Sequence, residues 1–173
     1  MSDNFTELNS SFNITNEVLE FALAPEPWHF RNGFNMKVVP EDIWSKNQQI
    51  AGLVAHFSTS GRIVPLVIKM SAFTFYRLHT DEVRAAALNV LLKGNNSISF
   101  FAEELPDEED RPFEHEVFQV DPVDYQHNKM ILFNTQKLHG VLNMDEDRYI
   151  FSLGFNFPLD YDTIKEFCLE NNL

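Results

Sequence analysis

The chain has 173 residues, enough for one domain with a substantial core. Hydrophobic residues make up 44% of it and include 17 phenylalanines, which excludes a mainly disordered protein. A net charge of −13 repels a phosphate backbone, so we expect no nucleic-acid partner.

The N-terminal stretch is polar and acidic, with neither the basic start nor the apolar run of a signal peptide. The longest apolar runs are too short to cross a bilayer, so we expect no membrane insertion. The single cysteine, Cys168, cannot form an internal disulfide and fits a reducing compartment. The expected location is therefore the cytoplasm.

The first third of the chain has a helical pattern. Residues 16–23 carry apolar side chains at helical spacing, and a proline-containing stretch follows them. A stronger helix is predicted from Pro40, which suits a first turn, down to Phe57. We expect residues 1–62 to form a helical support packed on the rest of the domain.

After Gly61 the sequence changes to short β-rich segments divided by turn residues. Short strands at this spacing favour a barrel or a sandwich, with a core over residues 63–157. A last helix, capped by Asp160 or Asp162, is predicted within the C-terminal segment 158–173. The eight predicted strands cover residues 63–68, 72–79, 84–92, 97–102, 113–120, 129–133, 138–143 and 148–155.

An acidic segment, residues 103–110, interrupts the β-rich region. It has six carboxylates in eight positions around Pro106. A charge run of this kind is usually a solvated loop. The alternative is a landing site for a basic peptide or protein.

His79 and Asp81 stand two residues apart at the end of the second predicted strand, so both side chains project from the same face. His139, near the start of the seventh strand, is the best candidate for a third metal ligand. Two histidines and one carboxylate on one face of an octahedron leave three positions open, as in non-haem Fe(II) oxygenases.

The last predicted strand has two unlike faces. Strand alternation puts Arg148 and Ser152 on one face and a row of aromatic and aliphatic side chains on the other. An arginine beside a small hydroxyl suits an anion pocket, because a guanidinium can hold a carboxylate through two parallel hydrogen bonds.

The order of these residues resembles the His-x-Asp…His…Arg pattern of the 2-oxoglutarate/Fe(II) oxygenases, in particular their prolyl-hydroxylase-like branch. The resemblance implies a mainly β double-stranded β-helix, a cupin-like jelly-roll barrel with flanking helices. It also implies that His79, Asp81 and His139 bind Fe(II) at the catalytic centre. Arg148 would hold the far carboxylate of the cosubstrate 2-oxoglutarate, and O2 would be the oxidant in a C–H hydroxylation that releases succinate and CO2.

In that branch an arginine opens the third strand, as Arg84 does here, and a tyrosine often stands at the place of Leu91. The missing phenol leaves the second contact to 2-oxoglutarate open. Asn89 and Ser152 are candidates for it. Tyr76 is another, if a bulge turns its side chain toward the metal ligands.

The resemblance alone favours a peptide or protein side chain such as proline as the substrate, with a small molecule as the alternative. A metal-dependent hydrolase with the same three ligands is a rival reading, but it would not need the Arg148 carboxylate clamp. A non-catalytic jelly-roll binding module is a further rival, and the complete set of ligands argues against it.

Overall fold

The computed structural model describes residues 4–31, 34–104 and 118–173. Its helices are α1 Thr15–Leu23, α2 Glu41–Trp44, α3 Gln48–Phe57 and α4 Tyr161–Glu170. Its strands are β1 Phe5–Ser11, β2 His29–Arg31, β3 Phe34–Val38, β4 Ile63–Met70, β5 Thr74–His79, β6 Arg84–Lys93, β7 Ser97–Glu104, β8 Phe118–Val123, β9 Lys129–Asn134, β10 His139–Asn143 and β11 Arg148–Asn156.

The strands form two antiparallel sheets. The larger has the order β1-β9-β6-β11-β4-β3-β2, and the smaller has the order β5-β10-β7-β8. Because most neighbours are distant in sequence, the chain crosses between the sheets as in a double-stranded β-helix. The predicted fold class is confirmed, but neither sheet closes on itself, so the predicted barrel is a pair of facing open sheets.

The N-terminal segment contains strands as well as helices, which the helical prediction missed. β1 pairs with β9, and β3 joins β2 to β4, so these strands widen the larger sheet. The inward positions of β1 include the polar residues Thr6 and Ser10, which hide its apolar alternation. The helix predicted from Pro40 is divided in two, because the Asn47 side chain accepts the N–H of Ile50 and caps α3.

The eight strands predicted after Gly61 correspond to β4–β11. The fifth, predicted at residues 113–120, overlaps β8 over residues 118–120, and its residues 113–117 lie outside the described residues. Glu103 lies in β7, while residues 105–110 of the predicted acidic loop lie outside the described residues.

The hydrophobic core lies between the helices and one face of the larger sheet. Side chains of α1, α3 and α4 pack there against the apolar face of β11, which includes Phe151, Leu153 and Phe155. Cys168 is fully buried in this core, and burial raises the pKa of its thiol to about 12. The other face of β11 is therefore left to line the space between the sheets. No helix in the described ranges is long and apolar enough to cross a membrane.

The start of α4 gives a test of local stability. Asp160 accepts the backbone N–H of Thr163 at 2.9 Å, and this hydrogen bond lowers the pKa of Asp160 below its ordinary value of 3.8. We expect Asp160→Ala to reduce the free energy of unfolding by about 1 kcal/mol at neutral pH in urea titrations, because the helix loses its cap. The lowered pKa means that this contribution is present above the ordinary pKa and is lost as the pH falls through the folded-state value.

Asp160→Asn is the matched control, because an amide oxygen also accepts at an N-cap. It should retain most of the stability at neutral pH. Equal unfolding curves for Asp160→Ala and wild type would contradict the capping role.

Candidate functional site

The three predicted metal ligands meet at the start of β10. His139 pairs with His79 across the β5–β10 ladder, and the centroids of their rings lie 4.2 Å apart. Asp81 follows β5 directly, and its Oδ1 lies 3.7 Å from His79 Nε2. One ligand atom from each of the three residues lies within 4.8 Å of the others. This spacing suits a single metal ion bound by two imidazoles and one carboxylate.

Both histidines are oriented by the main chain. Nδ1 of His79 donates to the carbonyl oxygen of Arg77 at 3.0 Å, and Nδ1 of His139 donates to that of Lys137 at 2.8 Å. Because a carbonyl oxygen only accepts, each Nε2 carries the lone pair that a metal needs. Burial lowers the pKa of His139, and the neighbouring His79 lowers it further, which favours the neutral ring.

Arg148 is buried in the space between the two sheets. It is 1% exposed, and its Nη2 donates to Ser99 Oγ on the smaller sheet at 2.8 Å. Its Nε and the Ser152 hydroxyl are buried and have no hydrogen-bond partner among the described residues. Within the described ranges no carboxylate pairs with this guanidinium. A buried cation without a counter-charge is costly, so the position favours a bound anion.

Tyr125 is a site residue that the sequence reasoning missed. The centroid of its ring lies 5.0 Å from Arg148 Cζ, and its phenol lies near the polar side chains of Arg148, Ser99 and Asn89. Burial raises the pKa of this phenol, so it stays protonated. It lies in the connection between β8 and β9, where strand alternation gives no direction. The only indication in the sequence was that Leu91 stands where the prolyl-hydroxylase-like branch often has a tyrosine, so that a phenol from elsewhere could take its place.

A bulge in β5 turns Tyr76 toward the metal ligands. His139 pairs with His79 but Val141 pairs with Tyr76, so β5 has one extra residue in this interval. The Tyr76 ring meets the His79 ring edge-on at 4.5 Å and packs on Phe34 at 4.0 Å. Burial raises the pKa of the Tyr76 phenol. Tyr76 therefore lies beside the metal ligands on the cavity wall.

One cavity between the sheets connects these features. His79, His139 and Arg148 all line it, together with Tyr76, Asn89, Ser99, Tyr125 and Ser152. Its remaining walls are largely apolar and include Ile68, Met70, Ala87, Phe133, Val141 and Ile150. The candidate metal ligands His79 and His139 and the buried guanidinium of Arg148 thus line the same space. The donor set fits Fe(II), and the unpartnered polar atoms fit a carboxylate.

No protein-family model matches this sequence, and no curated protein matches it. Solved structures of similar fold include HygX from Streptomyces hygroscopicus with nickel, 2-oxoglutarate and hygromycin B bound. It has a TM-score of 0.60 at 10% identity, over 91% of this chain and 85% of HygX. A prolyl-4-hydroxylase from Pseudomonas putida has a TM-score of 0.57 at 11% identity, over 88% of this chain and 92% of that one.

A Trichoplax adhaerens prolyl hydroxylase, in complex with a peptide fragment of the hypoxia-inducible factor oxygen degradation domain, is also similar. Its TM-score is 0.57 at 12% identity, over 96% of this chain and 87% of that one. Likeness at this level of identity establishes architecture. The chain has the double-stranded β-helix fold found in structures of prolyl hydroxylases and other 2-oxoglutarate/Fe(II) oxygenases.

Proposed function

We propose that this chain is an Fe(II)- and 2-oxoglutarate-dependent dioxygenase that hydroxylates a C–H bond. The observation that carries the proposal is Arg148: a buried guanidinium with an unpartnered Nε lines the same cavity as His79 and His139. A hydrolase acting on a neutral bond has no use for this group. A protein that only binds has no need of the three converging metal ligands.

The metal would be held by Nε2 of His79, Nε2 of His139 and a carboxylate oxygen of Asp81. Fe(II), with 2-oxoglutarate and O2, supplies the oxidation of a C–H bond and releases succinate and CO2. The main-chain carbonyls of Arg77 and Lys137 keep both imidazoles in the tautomer that can bind metal.

The far carboxylate of 2-oxoglutarate would bind to Arg148 and the Ser152 hydroxyl. Both offer buried donor atoms that have no partner in the part of the chain that the structure describes. Tyr125 would supply the phenol that Leu91 lacks, since it lines the cavity beside Asn89 and Ser99. The apolar walls exclude water from the reacting atoms.

For the substrate we propose a side chain of a peptide or protein, such as proline. Support comes from the fold shared with prolyl hydroxylases, one of them solved with a peptide fragment. A small molecule is the second candidate, favoured by the similarity to HygX, which was solved with hygromycin B. A test for hydroxylation of proline-containing peptides against small amines and sugars, with succinate release as the readout, separates the two.

The direct test of the proposed function is anaerobic titration of the purified protein with Fe(II) and then 2-oxoglutarate. A visible charge-transfer absorption band is expected only when both are present. Absence of the band with bound Fe(II) and excess 2-oxoglutarate would contradict the cosubstrate assignment.

The metal ligands can be tested one at a time. His79→Ala, Asp81→Ala and His139→Ala should each abolish turnover and lower Fe(II) affinity by more than the roughly 10–100-fold typical of changes outside the ligand shell. Metal analysis after desalting and circular dichroism measure occupancy and fold. His127→Ala, at an exposed histidine that bonds Asn95, is the control and should keep full occupancy. Full occupancy in all three ligand variants would refute the assignment.

The cosubstrate contacts predict a graded series. Arg148→Ala should abolish saturable 2-oxoglutarate binding while Fe(II) stays bound, and Arg148→Lys should restore it only in part, because a point charge replaces a fork. Tyr125→Phe removes the proposed hydrogen bond from the phenol to 2-oxoglutarate. Because one hydrogen bond is worth about 1 kcal/mol, this variant should bind 2-oxoglutarate several-fold more weakly. Titration of the visible band measures all three. Wild-type affinity in Arg148→Ala would move the cosubstrate site elsewhere.

A further inference from the structure

The carboxylate of Asp81 faces two different groups. Its Oδ1 lies 3.7 Å from His79 Nε2, on the side of the metal ligands, while its Oδ2 lies 2.8 Å from Arg84 Nη2. Oδ2 is buried and forms this ion pair with Arg84, but the angles of the contact are not those of a hydrogen bond. The Asp81 side chain is 12% exposed and that of Arg84 is 25% exposed, so water screens the pair less than it would a surface ion pair.

We propose that Arg84 is a positioning residue that keeps Asp81 bound to the metal through one oxygen, and that Gly154 leaves the space for it. The inference rests on the proposed function. A carboxylate with two free oxygens can bind a metal through one or both of them. Binding through both would occupy a position that the cosubstrate or O2 needs, whereas a guanidinium on Oδ2 leaves only Oδ1 for the metal.

Gly154 lies under the aliphatic part of Arg84. A Cβ at position 154 would lie 3.0 Å from Arg84 Cδ and 3.8 Å from its Cγ. Gly154 has an ordinary strand conformation in β11, on the same face as Arg148 and Ser152, so space and not backbone shape favours glycine there. A side chain at this position therefore requires the stem of Arg84 to move, by a few tenths of an ångström for a methyl group.

The backbone on both sides of the ion pair is tied to the turn before His139. Asp81 N donates to the carbonyl oxygen of Thr135 at 2.9 Å, and Thr135 Oγ1 donates to that of Arg84 at 2.8 Å. Gln136 Nε2 donates to the carbonyl oxygens of Asp81 and Arg84 at 2.8 and 2.7 Å. These hydrogen bonds therefore restrain the backbone from which the Arg84 side chain extends. In the described part of the chain its only carboxylate partner is Asp81.

The experiment is a titration of the full-length apoprotein with Co(II), followed by its visible spectrum, which depends on coordination geometry. Arg84→Met keeps the stem but removes the charge, and we expect it to raise the Co(II) dissociation constant by about 10–100-fold and to change the spectrum. Arg84→Lys should recover part of the affinity. Gly154→Ala keeps both charged groups and should change affinity and spectrum in the same direction, by less.

Two matched controls separate position from general damage. Arg62→Met removes an exposed arginine, and Gly52→Ala adds a methyl group in α3 where, apart from the local helix backbone and the chain neighbours, no atom of the described residues lies within 4 Å. Both should bind Co(II) like wild type. Thermal unfolding of each apoprotein shows whether a variant is folded, and if Arg84→Met is not, Gly154→Ala and Arg84→Lys decide.

Wild-type affinity and spectrum in the folded Arg84 and Gly154 variants would overturn the positioning role. If the wild-type protein itself bound no Co(II) or Fe(II), the proposed function would fail. If the wild-type protein binds metal and the variants bind it more weakly with a changed spectrum, the role of Arg84 is supported. Failure of the positioning role and failure of the proposed function are therefore distinguishable.

Discussion

The buried guanidinium of Arg148 is the group on which the rest of the site depends. Burying a cation costs several kcal/mol unless hydrogen bonds and an opposite charge compensate. Here Ser99 on the opposite sheet accepts one N–H and the ring of Tyr125 lies over the cation, while Nε keeps a free donor. These contacts connect the two sheets and leave a buried positive charge without a counter-charge among the described residues, in a cavity that the candidate metal ligands His79 and His139 also line.

β11 can carry the buried guanidinium because its two faces have different surroundings. Phe151, Leu153 and Phe155 pack against the helices and hold the strand in the core, so the opposite face can carry groups that would not be tolerated in the core. On that face Arg148 and Ser152 line the cavity, and Gly154 makes room for the stem of Arg84. One strand thus carries the buried guanidinium and hydroxyl and, under Arg84, the glycine that leaves space for the ion pair with Asp81 in the connection between β5 and β6.

Side chains on regular strands could be placed from the sequence, because alternation gives their direction. Side chains at a bulge or in a connection could not. His79, Asp81 and His139 were identifiable because two-residue spacing and strand order determine which side chains meet, and alternation along β11 placed Arg148 and Ser152 together. Tyr76 depended on a bulge that no residue type announces. Tyr125 comes from a connection without alternation, and the strand at Phe5–Ser11 was missed because its inward positions include Thr6 and Ser10.

The tautomers of His79 and His139 are set by main-chain carbonyls, not by side chains. These carbonyls belong to Arg77 and Lys137. Each of these residues has an exposed side chain and lies two positions before the histidine that it orients. Replacing either side chain leaves its carbonyl oxygen in place, so the exposed surface at positions 77 and 137 can change in charge, size or shape while the imidazoles keep their orientation. The scaffold therefore separates the evolution of this exposed surface from that of the two histidines, which are oriented through backbone atoms that every residue type supplies.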